Sequence, residues 1–174
     1  MAERTPSQTA GPFFHDALRW SDGERASFFE KGERVVLSGR ILDGAGAAVG
    51  DAMIETWQRA PSGRAPLPAQ GDAKPTGFAR VETAPDGTYR IETLMPGGPG
   101  APYLDVAIFA RGLLKPLRTR VYLAPEARVR AEALMVPLVA SPRLATLVAA
   151  ARDDGEYRWD IRLQGEGETV FFAP

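Results

Sequence analysis

The chain has 174 residues, of which one is histidine and none is cysteine, and its formal net charge is −1 at pH 7. With His15 and no thiol, the chain alone cannot build a zinc finger, a haem–thiolate centre, a two-histidine iron site or a Cys–His dyad. The balanced charge provides no basic field for nucleic acid or an anionic membrane. A start without an apolar leader and a lack of cysteine predict a cytoplasmic protein.

The N-terminal residues 1–32 are predicted to form an extended arm that ends in a short helix. Residues up to Pro12 show no hydrophobic periodicity, whereas Ala26, Phe28 and Phe29 have weak helical spacing over Gly23–Lys31. Residues 33–174 are predicted to form one β-sandwich domain. Fifteen prolines and eighteen glycines favour many short strands joined by tight turns.

Alternating apolar and polar residues predict most of the strands. Asp86-Gly87, between two alternating runs, predicts a β-hairpin. Residues 61–76 are predicted to be loop, 124–140 to contain a helical turn or two, and 144–151 to be either strand or helix. The predicted strands are Glu33–Ile41, Ala52–Gln58, Gly77–Thr83, Thr88–Met95, Tyr103–Arg111, Leu117–Leu123, Tyr157–Gln164 and Thr169–Phe172. The fold class is therefore all-β: an antiparallel sandwich of about eight or nine strands with short helices and an extended N-terminal arm.

Glu55 is placed on the same strand face as Met53 and Trp57, where a carboxylate needs a partner. We interpret it as half of a buried ion pair with an arginine rather than as an acid or base in catalysis. Trp57 and Trp159 are predicted to lie in the sandwich core.

His15 and Trp20 belong to the N-terminal arm. His15 follows two phenylalanines and is interpreted as a packing or interface residue rather than a general base. Trp20 fits a subunit contact or the edge of the arm.

Five segments of the sequence carry a family resemblance. They are Thr5–Phe13, Glu55–Gln58, Ile108–Gly112, Thr119–Tyr122 and Asp160–Phe172. In this order they resemble the alpha chains of the protocatechuate 3,4-dioxygenase family, a branch of the intradiol ring-cleavage dioxygenases. The resemblance spans nearly the whole chain.

This resemblance implies a β-sandwich in a hetero-oligomer of alpha and beta subunits. It places Fe(III) in the partner beta subunit, held by two tyrosines and two histidines, and no metal or catalytic residue in this chain. The implied reaction opens protocatechuate, an aromatic dihydroxy acid, with O2 to 3-carboxy-cis,cis-muconate. The chain is expected to shape the substrate pocket and to be inactive alone.

The resemblance also locates the positions at which the beta chain holds its iron. They correspond here to Tyr103-Leu104-Asp105, to Ala65 and to the segment Pro96–Gly100. Tyr103 and Asp105 are possible oxygen ligands, but two such groups without an imidazole make a poor ferric site. We therefore expect a vestigial pocket without metal.

Four residues match positions that line the substrate pocket in the family: Thr9, Gly11, Pro12 and Arg111. Thr9 offers a hydroxyl, Gly11 permits close backbone approach and Pro12 stiffens the chain. The Arg111 guanidinium could hold the carboxylate of an aromatic acid through paired hydrogen bonds. The alternatives are an arm that serves only assembly and a surface ion pair for Arg111.

A second hypothesis for the whole chain stays open at this point. The missing iron ligands fit equally well a non-catalytic β-sandwich that binds a ligand or mediates assembly and is related to dioxygenases only by descent.

Overall fold

Two β-sheets pack face to face around the main hydrophobic core. The computed structural model describes residues 17–19, 21–69, 75–131 and 141–172. One sheet has the strand order β4-β1-β8-β7, with β9 also paired to β1, and the other has the order β3-β2-β5-β6. The strands are β1 (Arg34–Leu42), β2 (Met53–Trp57), β3 (Phe78–Glu82), β4 (Thr88–Leu94), β5 (Tyr103–Phe109), β6 (Leu117–Tyr122), β7 (Ala150–Ala151), β8 (Glu156–Arg158) and β9 (Ile161–Arg162).

The helical elements are short. Helix α1 spans Glu126–Arg130, and two 3-10 helices span Pro142–Leu147 and Asp153–Gly155. The helical turn predicted within 124–140 is thus confirmed at α1. Residues 144–151, which were predicted to be either strand or helix, begin within the first 3-10 helix and end in β7. In the described part of the chain no helix is long and apolar enough to cross a membrane.

The predicted fold class is confirmed. Alternate residues of β1 point into the core, where Val35, Leu37 and Ile41 are buried. Strand β1 pairs antiparallel with β4 over seven residues. The β-hairpin predicted at Asp86-Gly87 is wrong, because β3 pairs with β2 and β4 pairs with β1, in different sheets. The tight turn itself is present, with the Gly87 N–H donating to the Ala84 carbonyl at 2.7 Å, and it carries the chain from one sheet to the other. Antiparallel pairing is not universal, because β8 and β9 both run parallel to β1.

The prediction of a helix over Gly23–Lys31 is wrong. The Arg80 N–H donates to the Gly23 carbonyl at 2.7 Å, and the Gly77 N–H donates to the Ser27 carbonyl at 2.9 Å. Between these contacts, the Ala26 N–H donates to the Glu92 carbonyl at 3.0 Å. The segment is therefore an extended strap across the edges of β3 and β4, where tertiary hydrogen bonds replace the weak helical preference.

The strand predicted over Tyr157–Gln164 is interrupted between β8 and β9. The Arg40 N–H donates to the Asp160 side chain at 2.9 Å instead of to a backbone carbonyl. The Trp159 carbonyl accepts from the Tyr89 hydroxyl at 2.6 Å. It comes so close to Gly39 that a Cβ there would lie 1.8 Å from the carbonyl oxygen. Side chains thus satisfy the backbone groups that a continuous ladder would pair.

The last predicted strand, Thr169–Phe172, is not a regular strand. Its contact with the four-stranded sheet is an isolated bridge between Phe172 and Arg118, in which the Phe172 N–H donates at 2.8 Å. The Val170 carbonyl instead accepts from the Thr119 hydroxyl at 2.6 Å. A side-chain hydrogen bond here takes the place of ladder pairing.

The two tryptophans predicted for the core differ in their burial. Trp159 is 3% exposed and lies in the main core, as predicted. The core face of β2 instead carries Ile54 and Thr56, so Trp57 lies half-buried on the outer face. There its ring packs against Phe78 at a centroid distance of 4.3 Å. The strand period was correct, but the assignment of faces was wrong for β2.

Candidate functional site

The structure describes one of the four residues predicted to line a substrate pocket. Thr9, Gly11 and Pro12 lie outside the described residues, as do His15 and Trp20. Arg111 lies in the turn after β5, is 68% exposed and forms an ion pair with Asp51 through Nε. A guanidinium carries five N–H donors, so this contact is compatible with a second carboxylate at the same side chain.

Arg120 contacts Tyr103 and Asp105, the two residues considered above as possible oxygen ligands. The register of β5 and β6 places Asp105 opposite Arg120 and Tyr103 opposite Tyr122. Nη2 of Arg120 lies 2.9 Å from Oδ1 of Asp105. Its guanidinium carbon lies 3.7 Å from the centroid of the Tyr103 ring. Arg120 thus contacts both of the oxygen-bearing residues that remained as possible ligands.

Arg120 keeps its positive charge in this setting. Burial works to lower its pKa, but hydrogen bonds to Tyr122 and Asp105, together with the Asp105 charge, outweigh burial and raise the pKa. The cation also faces the electron-rich side of the Tyr103 ring, a favourable arrangement. A guanidinium in contact with both Tyr103 and Asp105 would repel a ferric ion bound by these two side chains.

These residues do not fit a ferric ion. Ala65 offers no ligand atom, Asp105 is paired, and the Tyr103 ring is covered by a cation. In the described part of the chain no group of three or more histidine, aspartate or glutamate side chains is placed to hold a metal. Sequence reasoning missed Arg120, although the opposite charges of Asp105 and Arg120 on two adjacent predicted strands were the available signal.

The loop that begins at Ala60 and the segment Pro96–Gly100 are packed against each other. The Gly97 N–H donates to the Ala60 carbonyl at 3.1 Å. A Cβ on Gly97 would lie 1.8 Å from the Pro61 carbonyl oxygen, so position 97 accepts only glycine without a backbone shift. The close contact leaves no space for a larger residue at position 97, between the two loops.

Glu30 holds the first of these loops. Its carboxylate accepts from the Ser62 N–H at 2.6 Å, from the Ser62 hydroxyl at 2.9 Å and from Arg64 at 2.8 Å. The Ser62 N–H, supported by Arg64, lowers the pKa of Glu30. Sequence reasoning did not single out Glu30, because its partners follow about thirty residues later in the chain.

The arginine predicted to pair with Glu55 is Arg80 in the structure. Nε and Nη2 of Arg80 lie 2.9 Å and 2.6 Å from Oε1 of Glu55, across the β2–β3 pair. The Glu55 side chain is 16% exposed and the Arg80 side chain is 21% exposed. The interpretation of Glu55 as half of a largely buried ion pair is therefore confirmed.

The two-sheet β-sandwich of this chain is also the fold of ring-cleaving dioxygenases. The family described as "Dioxygenase" matches residues 7–107 of the chain. Among solved structures, the intradiol ring-cleavage dioxygenase from Tetranychus urticae aligns with a TM-score of 0.59 and 15% identity, covering 79% of this chain and 84% of that one. This likeness shows a shared fold.

Relatives of known name extend the match to nearly the whole chain. The protocatechuate 3,4-dioxygenase alpha chain of Burkholderia cepacia is 39% identical, covering 98% of this chain and 97% of the relative. The alpha chain of Pseudomonas putida is 37% identical, covering 97% and 95%. The beta chain of Burkholderia cepacia is 33% identical, covering 52% and 40%. The chain belongs to the intradiol dioxygenase family, and the predicted resemblance is confirmed.

Proposed function

We propose that this chain is the alpha-type subunit of a hetero-oligomeric intradiol dioxygenase that opens protocatechuate with O2 to 3-carboxy-cis,cis-muconate. The observation that carries the proposal is the similarity to two protocatechuate 3,4-dioxygenase alpha chains over at least 97% of this chain. The similarity to a beta chain of the same enzyme supports a beta subunit as partner.

The proposal assigns the ferric iron to the beta subunit. The Arg120–Asp105 pair supports this assignment, because a guanidinium lies at the ligand positions of this chain. When bound in the partner, iron supplies the activation of the catecholate ring toward O2. The contribution of this chain is to bind and orient the substrate.

Arg111 is the described residue that we assign to substrate binding. Its guanidinium would pair with the carboxylate that distinguishes protocatechuate from catechol. The Thr9–Pro12 segment would supply the remaining wall, with the Thr9 hydroxyl as a hydrogen-bonding group. The exposed position of Arg111 in the turn after β5 supports this role, because a substrate bound by the partner subunit can reach the side chain.

Co-expression with a beta-type chain tests the proposal. The pair should contain iron and take up O2 with protocatechuate, whereas this chain purified alone should do neither. Stoichiometric iron in the chain alone, with turnover of a catechol, would contradict the assignment of the metal to the partner. A pair that binds iron but consumes no O2 with any dihydroxybenzoate would contradict the proposed reaction.

An Arg111→Gln variant of the same heteromer tests carboxylate recognition. A charged hydrogen bond contributes about 1.5–3 kcal/mol, so the KM for protocatechuate should rise roughly 10- to 150-fold. The KM for catechol, which has no carboxylate, should stay unchanged. Arg143→Gln, which removes an exposed ion pair with Glu168, is the matched control. Equal effects on both substrates would show that Arg111 does not recognise the carboxylate.

A further inference from the structure

The outer faces of the two sheets differ in how they carry charge. On the five-stranded sheet, Arg90 of β4 contacts two carboxylates, one of them across β1 on β8. Its Nη2 is 3.5 Å from Oε1 of Glu92, and its Nη1 is 3.7 Å from Oε1 of Glu156. The Arg90 and Glu156 side chains are both 52% exposed. Long, exposed ion pairs of this kind contribute little to stability and are typical of a surface that stays in water.

The outer face of the four-stranded sheet is apolar by comparison, and we call it the aromatic face. Its residues alternate along the strands with buried core residues such as Ile54, Val106 and Ile108. The apolar residues of the aromatic face are Met53, Trp57, Phe78, Tyr103, Ala107, Phe109 and Tyr122. Trp57, Tyr103, Ala107 and Phe109 are only half-buried within the chain. An apolar surface that crosses a whole sheet and stays partly open to water marks an interaction site.

The carboxylates of the aromatic face are already paired within the chain. Nη2 of Arg120 is 2.9 Å from Oδ1 of Asp105, and the Arg120 side chain is only 18% exposed. A partner that covers such a pair meets a neutral unit whose guanidinium has already lost most of its water, so the further desolvation cost is small. Each carboxylate of the face has an arginine: Glu55 pairs with Arg80, Glu82 with Arg19 and Asp105 with Arg120.

Arg118 is the charged residue of the aromatic face that differs from this pattern. It lies opposite Ala107 in the β5–β6 register and is exposed. Its guanidinium forms no ion pair with any residue in the described part of the chain. A guanidinium that becomes covered needs a carboxylate, so the surface that fits the aromatic face is apolar and has an acidic group opposite Arg118.

A second copy of this chain does not offer such a surface. Two aromatic faces in contact would each present Arg118, while the carboxylates of both faces are already held by arginines. A symmetric contact between identical chains requires a surface that is complementary to itself. The charges of the aromatic face therefore favour a different chain as its partner.

We propose that the aromatic face binds the beta-type subunit, through an apolar surface of that subunit with a carboxylate opposite Arg118. The outer face of the five-stranded sheet remains in water in the heteromer. The identity of the partner rests on the proposed function, whereas the choice of face rests on the apolar residues and the charges described above.

The first test places one new arginine at the centre of each outer face and measures the Kd for an immobilised beta-type chain. Ala107 lies between Glu55 and Arg118 in the register, and Val36 of the other sheet lies between Glu92 and Glu156. Ala107→Arg should weaken association at least about 100-fold, because it inserts an unpaired charge into an apolar contact. Val36→Arg is the matched control and should leave the Kd within about threefold of the wild type. An unchanged Kd for Ala107→Arg would overturn the inference.

The second test removes the unpaired cation without adding bulk. Arg118→Gln should weaken association roughly tenfold at low salt and make the Kd less sensitive to salt, because a charged contact is lost. Arg34→Gln is the control, since Arg34 is exposed on β1 and likewise forms no ion pair with a described residue. It should change neither quantity. A wild-type Kd and salt dependence for Arg118→Gln would show that no acidic group lies opposite Arg118.

The remaining outcomes identify other occupants of the aromatic face. If the chain alone forms a dimer that Ala107→Arg dissociates, the occupant is a second copy and the inference is overturned. If Ala107→Arg lowers the unfolding temperature of the chain alone by more than about 5 °C, the chain covers this face itself, and the inference is again overturned. A wild-type chain that forms no heteromer contradicts the proposed function, and the inference falls with it. A wild-type heteromer with an unchanged Kd for Ala107→Arg contradicts the inference alone.

Discussion

Substitution of Gly39 by alanine tests how β1, β8 and β9 meet. A Cβ at this position would lie 1.8 Å from the Trp159 carbonyl oxygen and 2.9 Å from the Tyr89 hydroxyl. Ordinary contacts of a Cβ begin at 3.4 Å. The Trp159 backbone must therefore move by about 1.6 Å, and this shift breaks the hydrogen bond from Tyr89.

The cost of the alanine follows from these two effects. Overpacking against backbone contributes about 2 kcal/mol, and the buried Trp159 carbonyl, which loses its donor, contributes about 1.5 kcal/mol. At about 3 °C per kcal/mol for a chain of this size, the unfolding temperature should fall by about 10 °C.

Thermal unfolding of the heteromer at fixed concentration measures this effect, because dissociation makes the midpoint depend on concentration. Gly44→Ala is the matched control. Its new Cβ would meet Gln164 at 3.4 Å, an ordinary contact, so its midpoint should stay within about 2 °C of the wild type. Equal midpoints for the two variants would refute the argument from the Trp159 carbonyl.

Three further predictions concern individual side-chain contacts. Burial raises the pKa of Tyr89, so its neutral hydroxyl stabilises the fold below about pH 10 and loses this contribution at higher pH. The free energy of unfolding of Tyr89→Phe should be about 1 kcal/mol lower at pH 7 and should fall less steeply at alkaline pH than that of the wild type. Equal alkaline slopes for the two proteins would contradict this prediction. The lowered pKa of Glu30 means that its stabilisation is present above the ordinary carboxyl pKa and disappears as the pH falls below about 4. Glu30→Gln should therefore flatten the acid decline in unfolding temperature, and an unchanged decline would show that the Ser62 contact is not formed. In a double-mutant cycle of Arg120→Met and Asp105→Asn, unfolding free energies should show a coupling of about 0.5–1 kcal/mol, and a coupling of zero would remove the evidence for the pair.

Much of the fold could be predicted from the sequence because the information was local. Strands β1 to β6 follow from alternation, and Asp86-Gly87 gives the tight turn between β3 and β4. That these two strands join different sheets instead of a hairpin was not predicted. The pairing of Glu55 was predicted from the cost of an unpaired carboxylate on a covered strand face. Its partner, Arg80, required the register of β2 and β3.

The candidate site was less accessible to sequence reasoning. Arg111 and the ligand positions came from a family resemblance, and three of the four predicted pocket residues lie outside the described chain. Arg120 was overlooked, because its role appears only when β5 and β6 place it opposite Asp105. Glu30 was missed for the same reason, since its partners Ser62 and Arg64 are distant in sequence.

The sequence by itself determined the period of each strand, the turns and the shortage of metal ligands, since these depend on residue type and spacing within a few positions. Tertiary structure decided which face of β2 is buried and that Gly23–Ser27 is a strap rather than a helix. It also decided that the strand predicted over Tyr157–Gln164 is divided into β8 and β9. In each case a hydrogen bond or contact between residues far apart in the chain outweighs a local preference of a few tenths to about 1 kcal/mol.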